Sequence, residues 1–586
     1  MAIDTLAPHS TAQPGAFVPP VDEYAFLLRE AFGEDIVARA TDGALTADDA
    51  GDAIAAAGEF AAEVFAPLDR AGDIEGAKLE NGAVRTPDGF KQAYRAFAEA
   101  GWVSAAVSEA AGGDGLPGSV TAALTELWNA SNAAFALCPG LSLGAIRALH
   151  ANGSRELCDA YLPKMVSGEW TGTMNLTEPE AGSDLGAVRT IARDNGDGSW
   201  AISGQKIFIT WGDHDVADNI VHLVLARTEN APAGHRGISL FLAPKHLLNA
   251  DGTPGERNTI TTVSLEHKLG IHASPTCVLQ FEAAKGYLVG ELHQGLAGMF
   301  VMMNEARVGI GVQGLGISQR AYQRAHDYAY TRLQGAVIGM PEGTPIAGHP
   351  DVRRLLLSMS SRISAMRAFS VLVGDTHDRA AAGEQGAEAL AEFFVPILKS
   401  WFTEQAVHIS SDAVQVHGGM GFIEETGAAQ QYRDSRILPI YEGTTAIQSN
   451  DLVGRKVLRD GGETAARVFA AIREQLDALR ASSHPVASRL VERTERATAA
   501  AERATAAILG FAGSPRDAYA VSVPYQELLA TLAGAWMHAR IATTVLGHES
   551  ISDEDLRRLT DADFYAAHHL SKVHALAETV ASGEIG

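Results

Sequence analysis

The sequence predicts an α+β protein in which helical regions flank one β domain. Aromatic residues make up only 7% of the 586-residue chain and alanine is abundant, a composition that favours helices packed on helices. Apolar residues recur at helical spacing before about residue 171 and after about residue 292, whereas between them the period shifts toward two. The predicted order is therefore helical, β and helical, with a further helical block at the end.

The first helical domain is predicted over residues 1–171. A Pro-containing leader ends near Pro20, and it lacks the basic segment and apolar core of a secretory signal. Apolar positions follow helical spacing in residues 24–28 and again in residues 53–65. The glycine-rich residues 112–118 interrupt this pattern with a loop.

The β domain is predicted over residues 172–290. Residues 201–204, 219–225 and 237–242 are the segments with strand character. The run Asn-Gly-Asp-Gly at residues 195–198 is a good hairpin turn. We therefore expect a small, mostly antiparallel β domain.

Helices are predicted again over residues 291–460, followed by a stop and linker at Asp460-Gly461-Gly462. A further helical block is predicted over residues 463–586. It has few side chains that could carry chemistry, so we interpret it as a packing or oligomerisation module. Its apolar positions form two helix faces, one of Val468, Ile472, Leu476 and Leu479 and one of Leu528, Leu529, Leu532 and Trp536.

The charge and the cysteine content exclude several classes of protein. A net charge of −25 argues against nucleic-acid binding and against anionic membrane surfaces, because both require clustered Lys and Arg. No run is expected to approach the length of a membrane span, so we expect no membrane insertion. Cys138, Cys158 and Cys277 are too few and odd in number for a disulfide framework, which predicts a reducing, cytoplasmic location.

Residues 440–445, Ile-Tyr-Glu-Gly-Thr-Thr, are the most informative stretch of the chain. They place Glu442 between an aromatic residue and a glycine, in surroundings poor in charge. An apolar substrate would remove water from this carboxylate and make it a stronger general base. Gly443 would let a ligand approach the backbone closely, and the threonine hydroxyls could bind a polar cofactor edge.

Three further segments could form parts of a binding site. The turn within residues 174–184 can present backbone N–H groups and a hydroxyl to an anionic or carbonyl group. In residues 204–212, strand alternation places Phe208 and Thr210 on one face, suited to a flat ring and a hydrogen bond to its edge. Residues 415–422 are a glycine-rich break between helices and lack the strand and spacing of a dinucleotide fingerprint.

Taken in order, four motifs resemble those of the acyl-CoA dehydrogenases. They are Leu-Thr-Glu-Pro-x-Ala-Gly-Ser-Asp, Lys-Ile-x-Ile-Thr, Gln-x-x-Gly-Gly-x-Gly and Tyr-Glu-Gly-Thr, and the resemblance covers about residues 50–460. The additional block makes the chain most similar to the C-terminally extended branch that contains the 3-methylmercaptopropionyl-CoA dehydrogenases. The resemblance implies an N-terminal α domain, a central antiparallel β-barrel-like domain, a four-helix domain and an appended helical domain.

The resemblance also implies the chemistry. It predicts an FAD-dependent enzyme that converts an acyl-CoA thioester to a trans-2-enoyl-CoA, a reaction of fatty-acid β-oxidation. Glu442 matches the base that removes the α-proton, while the β-hydrogen passes as hydride to flavin N5. An electron-transfer flavoprotein is the expected electron acceptor. The family further implies a homo-oligomer, with a dimer favoured because the appended block would cover the surface on which shorter relatives form tetramers.

Further site residues follow from the same resemblance, position by position. Gln415 and Gly419 match contacts that a neighbouring subunit makes with the adenine half of FAD. The full set expected to bind the cofactor is Leu176, Thr177, Gly182, Ser183, Phe208, Thr210, Arg332, Gln334, Gln415, Gly419 and Thr444. The set expected to bind the substrate is Ser183, Asn304, Arg307, Tyr441 and Gly443.

The chain departs from the family pattern at three places. The Arg-x-x-Phe segment appears as residues 332–335, Arg-Leu-Gln-Gly, without its aromatic residue. At a position after the Gly-Gly motif where the family carries a basic residue, this chain has Gln430. The position immediately before the helix arginine, where some relatives carry their base, is Ala306, and the adjacent Glu305 would point about 100° away on a helix. This last departure strengthens Glu442 as the predicted base.

Two other functions remain open at this point. One is an acyl-CoA oxidase in which O₂ reoxidises the flavin, and no motif distinguishes it from a dehydrogenase. The other is a non-enzymatic, DNA-associated flavoprotein relative, which the net charge of −25 argues against. His267 and His272 lie five residues apart, but no cluster of Cys or carboxylates completes a metal shell, so we predict no metal site.

Overall fold

The computed structural model describes residues 15–584, so most of the leader expected before Pro20 lies outside the described residues. The described chain divides into two compact units. Unit 1 contains residues 15–62, 117–130 and 310–584, and unit 2 contains residues 63–116 and 131–309.

The N-terminal region is mainly helical, as the apolar spacing predicts. Thr46 and Asp49 form a reciprocal capping box that starts the third helix, and the Ser154 hydroxyl caps the seventh. Its α-helices are α1 (Val21–Phe26), α2 (Asp35–Ala40), α3 (Ala47–Phe60), α4 (Ala66–Glu75), α5 (Phe90–Glu99), α6 (Gly118–Asn152) and α7 (Arg155–Val166).

A short hairpin within this region was not predicted. Strand β1 (Lys78–Glu80) pairs with the antiparallel strand β2 (Ala83–Arg85). The turn between them is Asn81-Gly82, with φ of 53° and 76°. An Asn-Gly pair is a strong sequence signal for a hairpin turn. This dipeptide could therefore have predicted the hairpin within a region that otherwise has helical periodicity.

Helix α6 corrects the expectation that no run approaches the length of a membrane span. By length and composition alone it could cross a membrane, with a mean hydropathy of 1.3 in its most apolar window. However, 72% of that window is buried inside the protein, and Asn132 interrupts the helix with φ −160° and ψ 91°. Helices in the cores of large proteins pass the same test of composition, and the burial of α6 matches that case.

The β domain follows and lies in unit 2. Its hairpin at residues 195–198 forms as predicted, with Gly196 and Gly198 at positive φ. The strands are β3 (Trp170–Asn175), β4 (Ile191–Asp194), β5 (Trp200–Thr210), β6 (Asn219–Thr228), β7 (Ile238–Pro244), β8 (His246–Leu248), β9 (Pro254–Arg257), β10 (Ile260–Leu265) and β11 (Thr276–Val289).

The main sheet is barrel-like, but it is mixed rather than purely antiparallel. Its order is β10-β11-β5-β4-β6-β3, and β7 pairs with both β11 and β6. Strand β6 pairs in parallel with β3 and with β4. Parallel neighbours are joined by long crossovers, so local alternation could not reveal these pairings.

Two apolar clusters within unit 2 pack against the sheet. One joins β6 and β7 to α6 and α7 through residues such as Leu223, Leu240 and Met165. The other joins residues such as Val224 and Phe241 to β5 and β11. Strands β6 and β7 are therefore buried along most of their length, which is why they read as continuous apolar runs.

The remaining helices complete the predicted order. The additional block lies within unit 1, where α16 packs against α9, α10, α13, α14, α17 and α18. The apolar faces expected at Val468 and Leu528 are buried. The helices are α8 (Gly295–Thr331), α9 (Pro350–Ala381), α10 (Ala387–His417), α11 (Ala428–Ser435), α12 (Thr445–Asp451), α13 (Glu463–Leu479), α14 (Pro485–Gly510), α15 (Pro515–Ala520), α16 (Ser522–Val545), α17 (Asp553–His568) and α18 (Lys572–Ser582).

Candidate functional site

Glu442 lies in a tight turn between α11 and α12, in unit 1. Its φ is 53°, in the left-handed region, and Gly443 follows with a φ of 91°. Non-glycine residues in this region cost about 1–3 kcal/mol and persist where the surroundings over-determine them. Thr444 ends the turn as the N-cap of α12, because its hydroxyl accepts a hydrogen bond from the Ile447 N–H.

Two side chains hold the backbone of this turn. The Lys399 ammonium, on α10, lies 3.0 Å from the Leu438 carbonyl oxygen and 2.6 Å from that of Gly443. The Gln448 amide, on α12, donates to the Glu442 carbonyl at 3.3 Å. A Cβ on Gly443 would lie 2.5 Å from the Gln448 Nε2, so only glycine fits here without displacing this amide.

Tyr441 is anchored beside Glu442. Its hydroxyl donates to the Gln313 side-chain oxygen on α8. Burial raises the pKa of Tyr441 well above its ordinary value, and the nearby carboxylates of Glu442 and Asp434 add to the shift. Tyr441 therefore stays protonated and acts as a hydrogen-bond donor at all physiological pH values.

In unit 2, a buried ion pair lies beneath the turn at residues 176–184. Lys206, which has no solvent exposure, donates to Glu178 Oε1 at 2.8 Å and to the Leu176 carbonyl at 3.0 Å. Glu178 also accepts from the Thr190 N–H and hydroxyl and from the Arg189 N–H. These buried contacts hold the base of the turn in place, while Gly182 and Ser183 at its tip are exposed.

Opposing effects set the charge of this pair. Burial alone would raise the pKa of Glu178, but the Lys206 charge and the hydrogen bonds from Lys206, Thr190 and Arg189 hold it below its ordinary value. Burial lowers the pKa of Lys206 to about 8, and Glu178 opposes that shift. Because neutral pH lies between the two pKa values, both groups are charged there.

Phe208 and Thr210 lie at the end of β5, next to an irregularity. The register with β11 shifts where Lys206 pairs with Leu279 and Ile209 pairs with Cys277, so β5 carries one extra residue. Phe208 has a φ of 59° and is 58% exposed. The strand does not alternate regularly here, and the bulge is what turns this aromatic ring toward solvent.

On α8, the structure brings Asn304 and Arg307 together, whereas Glu305 is engaged elsewhere. Arg307 is largely buried and its guanidinium donates to Asn304 Oδ1 at 3.3 Å. The Glu305 carboxylate forms an ion pair with Arg147 of α6. Glu305 is therefore held by a cation and is a poorer candidate for a base than Glu442.

Four of the residues expected to bind FAD lie at or shortly after the ends of α8 and α10 in unit 1, namely Arg332, Gln334, Gln415 and Gly419. The Tyr328 ring stacks on His417 at 4.5 Å between ring centroids, which joins the end of α8 to the end of α10. Arg332 follows that end of α8, and the Gln334 carbonyl lies 3.0 Å from the His349 Nε2. The side chains of Arg332, Gln334 and Gln415 are exposed, and a Cβ on Gly419 would meet nothing within 4 Å.

No group of three or more possible metal ligands occurs among residues 15–584. Both ring nitrogens of His272 lie within 3.1 Å of backbone oxygens, those of Asp73 and Lys268. The position of the His272 ring is therefore explained by its contacts within the fold.

Sequence reasoning assigned no role to four residues that shape these turns. Lys399 stands alone in the apolar run 393–402, and that isolation could have indicated a buried ammonium group. Lys206 lies four residues after the buried Ile202, on the same face of β5, which is the corresponding signal for the second lysine. Glu178 and Gln448 carry no such signal, because their partners are known only from the fold.

Comparisons with known proteins identify the family. Family models match four parts of the chain: acyl-CoA dehydrogenase N-terminal domain at residues 49–169, middle domain at 173–284, C-terminal domain at 293–457, and acetyl-CoA dehydrogenase C-terminal like at 465–585. The last match covers the additional helical block, as the resemblance to extended relatives implied.

Individual relatives agree with the family models. The chain is 49% identical over 528 residues to a 3-methylmercaptopropionyl-CoA dehydrogenase of Ruegeria pomeroyi, covering 89% of this chain and 88% of the relative. It is 38% identical over 433 residues to a broad-specificity linear acyl-CoA dehydrogenase of Mycobacterium tuberculosis, covering 71% of this chain and 70% of the relative.

Two solved structures share the fold. Caenorhabditis elegans ACDH-11, in complex with C11-CoA, aligns with a TM-score of 0.75 over 97% of this chain and 95% of its own, at 20% identity. Butyryl-CoA dehydrogenase from Megasphaera elsdenii aligns with a TM-score of 0.57 over 69% of this chain and 97% of its own, at 26% identity. The chain therefore belongs to the acyl-CoA dehydrogenase family, in its C-terminally extended branch, and is a flavin-dependent oxidoreductase that dehydrogenates an acyl-CoA.

Proposed function

We propose that the chain is an FAD-dependent acyl-CoA dehydrogenase in which Glu442 removes the α-proton of the thioester substrate. The observation that carries this proposal is the turn at Glu442, where a non-glycine residue is held at a φ of 53°. Such conformations cluster at functional sites. The ion pair between Glu305 and Arg147 further favours Glu442 over Glu305 as the base.

Proton removal requires more than a carboxylate. The α-hydrogen of a thioester is weakly acidic, so fixed donors must polarise its carbonyl and stabilise the enolate charge. We assign one of these donors to the backbone N–H of Glu442. Tyr441 and Gly443 flank the base and shape its contact with the substrate, while Ser183, Asn304 and Arg307 contact other parts of the acyl-CoA.

The chain offers groups that suit FAD. The exposed Phe208 ring can stack on a flat ring system, and the exposed tip at Gly182 and Ser183 can donate to phosphate or carbonyl oxygens. Bound FAD would supply the acceptor for the hydride from the β-carbon. The residues assigned to its binding are Leu176, Thr177, Gly182, Ser183, Phe208, Thr210, Arg332, Gln334, Gln415, Gly419 and Thr444.

A homodimer is the proposed assembly, with Gln415 and Gly419 completing the FAD site of the other subunit. Large apolar side chains near this motif support an interface. Met420 is 48% exposed, Phe422 is 85% exposed and Ile423 is 45% exposed. Light scattering of the holoenzyme should give the mass of two chains; a monomer with full FAD occupancy would contradict the shared site.

The remaining assignments follow from the same proposal. We propose four domains with boundaries at 1–171, 172–290, 291–460 and 463–586. An electron-transfer flavoprotein is the proposed electron acceptor. The three cysteines are unpaired, which supports the proposed cytoplasmic location.

The first candidate substrate to test is 3-methylmercaptopropionyl-CoA, the compound in the name of the relative from Ruegeria pomeroyi. Anaerobic enzyme is titrated with 3-methylmercaptopropionyl-CoA and with linear acyl-CoAs, and flavin bleaching is recorded for each. Glu442→Gln should keep FAD but lose about 10²–10⁴-fold in the rate of bleaching, because it removes the general base. Glu305→Gln is the matched control and should bleach at the wild-type rate.

Two results would contradict this function. Wild-type enzyme that no acyl-CoA bleaches would exclude a dehydrogenase. A Glu442→Gln variant that bleaches as fast as wild type would place the base elsewhere. The rate at which O₂ reoxidises the reduced enzyme separates a dehydrogenase from an oxidase, and we expect slow reoxidation.

A further inference from the structure

Lys399 is a charged side chain inside the apolar part of α10. It has no solvent exposure, and the neighbouring Leu398 and Phe402 are also buried. Burying an ammonium group is strongly unfavourable unless its hydrogen bonds are satisfied inside the protein. The partners of this lysine therefore indicate what its charge is used for.

Those partners bracket the turn that carries Glu442. The Lys399 ammonium donates to the carbonyl of Leu438, four residues before Glu442, and to that of Gly443, immediately after it. Gln448 donates to the carbonyl of Glu442 itself. Three anchored carbonyls, of Leu438, Glu442 and Gly443, thus hold the backbone around the left-handed residue.

We infer that Lys399 is a positioning residue for Glu442: by tying the carbonyls of Leu438 and Gly443 to α10, it fixes the turn that presents the catalytic carboxylate. The inference rests on the proposed role of Glu442 as the base. Lys399 acts through the backbone of the turn and takes no part in proton transfer itself.

The expected consequence is kinetic. A left-handed Glu442 would relax toward a commoner conformation if the anchors were lost, because its backbone strain would then be unopposed. Misplacing a catalytic group by about 1 Å can cost about 10²-fold in rate. Most of the residues assigned to the substrate and to FAD lie outside this turn, so the two affinities should change much less than the rate.

The test isolates proton removal from hydride transfer. Holoenzyme is incubated in D₂O with an acyl-CoA that carries sulfur in place of the β-methylene, so that the α-proton can exchange but no β-hydride can leave. Mass spectrometry then gives the exchange rate. Lys399→Met should slow exchange by about 10²-fold, a much larger change than in the dissociation constants for FAD and for the analogue. Lys456→Met, at a partly buried lysine paired with Glu392 of α10, is the matched control and should exchange at the wild-type rate.

A second variant keeps the inference testable if Lys399→Met fails to fold. Gln448→Met removes the donor to the Glu442 carbonyl and should slow exchange in the same direction, by about tenfold. If Lys399→Met folds and exchanges the α-proton at the wild-type rate, the inference is overturned. If Lys399→Met does not fold, a wild-type exchange rate in Gln448→Met overturns it. If Glu442→Gln abolishes exchange while Lys399→Met does not change it, the inference fails and the proposed function stands. Wild-type exchange in Glu442→Gln overturns both.

Discussion

Lys206 and Lys399 are both without solvent exposure, and each holds a turn that carries predicted site residues. In unit 2, Lys206 binds the Leu176 carbonyl and the Glu178 carboxylate, both within the turn that ends in exposed Gly182 and Ser183. In unit 1, Lys399 binds two backbone carbonyls on either side of Glu442.

The two turns differ in what the lysine holds in place. Around Lys206, the Glu178 carboxylate accepts hydrogen bonds from several residues, and the tip of the turn is exposed and accessible to a ligand. Around Lys399, the backbone of a strained residue is held, so the side chain of that residue is presented in one orientation. Under the proposed function, we infer that Lys206 supports cofactor binding and that Lys399 supports the geometry of the proposed base, Glu442.

The largest expected effect on stability comes from Lys206→Met. It would leave Glu178 buried without its cation, and breaking a buried ion pair by removing one partner typically costs about 3–5 kcal/mol. FAD affinity should fall with it, because the turn at residues 176–184 loses its support. Chemical denaturation and FAD titration measure the two effects. Arg193→Met, at an exposed pair with Glu229, is the control, and an equal loss there would remove the special role of Lys206.

Glu178→Gln should cost about 1–3 kcal/mol at neutral pH, less than Lys206→Met, because the glutamine oxygen can still accept hydrogen bonds from Lys206 and Thr190. Since the pKa of Glu178 is held below its ordinary value of 4.5, its contribution to stability is present above that value and is lost as pH falls through the lowered pKa. The gap in melting temperature between wild type and variant should therefore be widest above pH 4.5 and should narrow below it. A gap that stays constant on acidification would contradict an ionised Glu178.

Thr444→Ala separates two roles of one residue beside the second turn. Loss of the N-cap of α12 should cost about 1 kcal/mol of unfolding free energy. Thr444→Ser keeps a capping hydroxyl and should restore that stability. If Thr444 also contacts FAD, the alanine variant should bind FAD more weakly and the serine variant should not; equal FAD affinity in both would reduce Thr444 to a structural cap.

Phe208→Ala should have the smallest effect on the fold, because the ring is 58% exposed. If the ring stacks on the flavin, its loss should weaken FAD binding by about tenfold at most, from a stacking energy of about 0.5–1.5 kcal/mol. Val263→Ala, at another exposed apolar side chain of the β domain, is the control. Unchanged FAD affinity in Phe208→Ala would contradict the proposed stacking.

Local patterns predicted the order of elements and several of their bounds. Apolar spacing located the helices on either side of the β domain, and the Asn-Gly-Asp-Gly run at residues 195–198 located its hairpin. The parallel pairing of β6 with β3 and β4 was beyond such patterns, because it joins segments that local periodicity cannot relate. The same limit applied to α6, whose apolar composition alone does not distinguish a core helix from a membrane span.

In the candidate site too, features set by contiguous segments could be predicted, whereas contacts between distant segments could not. Residues of the family motifs, such as Glu442 and Ser183, could be predicted because their segments are contiguous. The partners of the buried lysines could not be predicted, since Lys206 is 28 residues from Glu178 and Lys399 is 39 residues from Leu438. Only folding brings these partners within hydrogen-bonding distance.

One measurement tests the contrast between the two turns most directly. The single-turnover rate of flavin reduction is recorded for wild type, Lys206→Met and Lys399→Met at saturating FAD and saturating acyl-CoA. Saturating FAD should restore the rate of folded Lys206→Met to near the wild-type value, because its defect is in cofactor binding. Lys399→Met should remain slower by about 10²-fold, because its defect is in the position of the base. Equal rates in Lys399→Met and wild type, or a defect of Lys206→Met that persists when FAD is fully bound, would contradict the account.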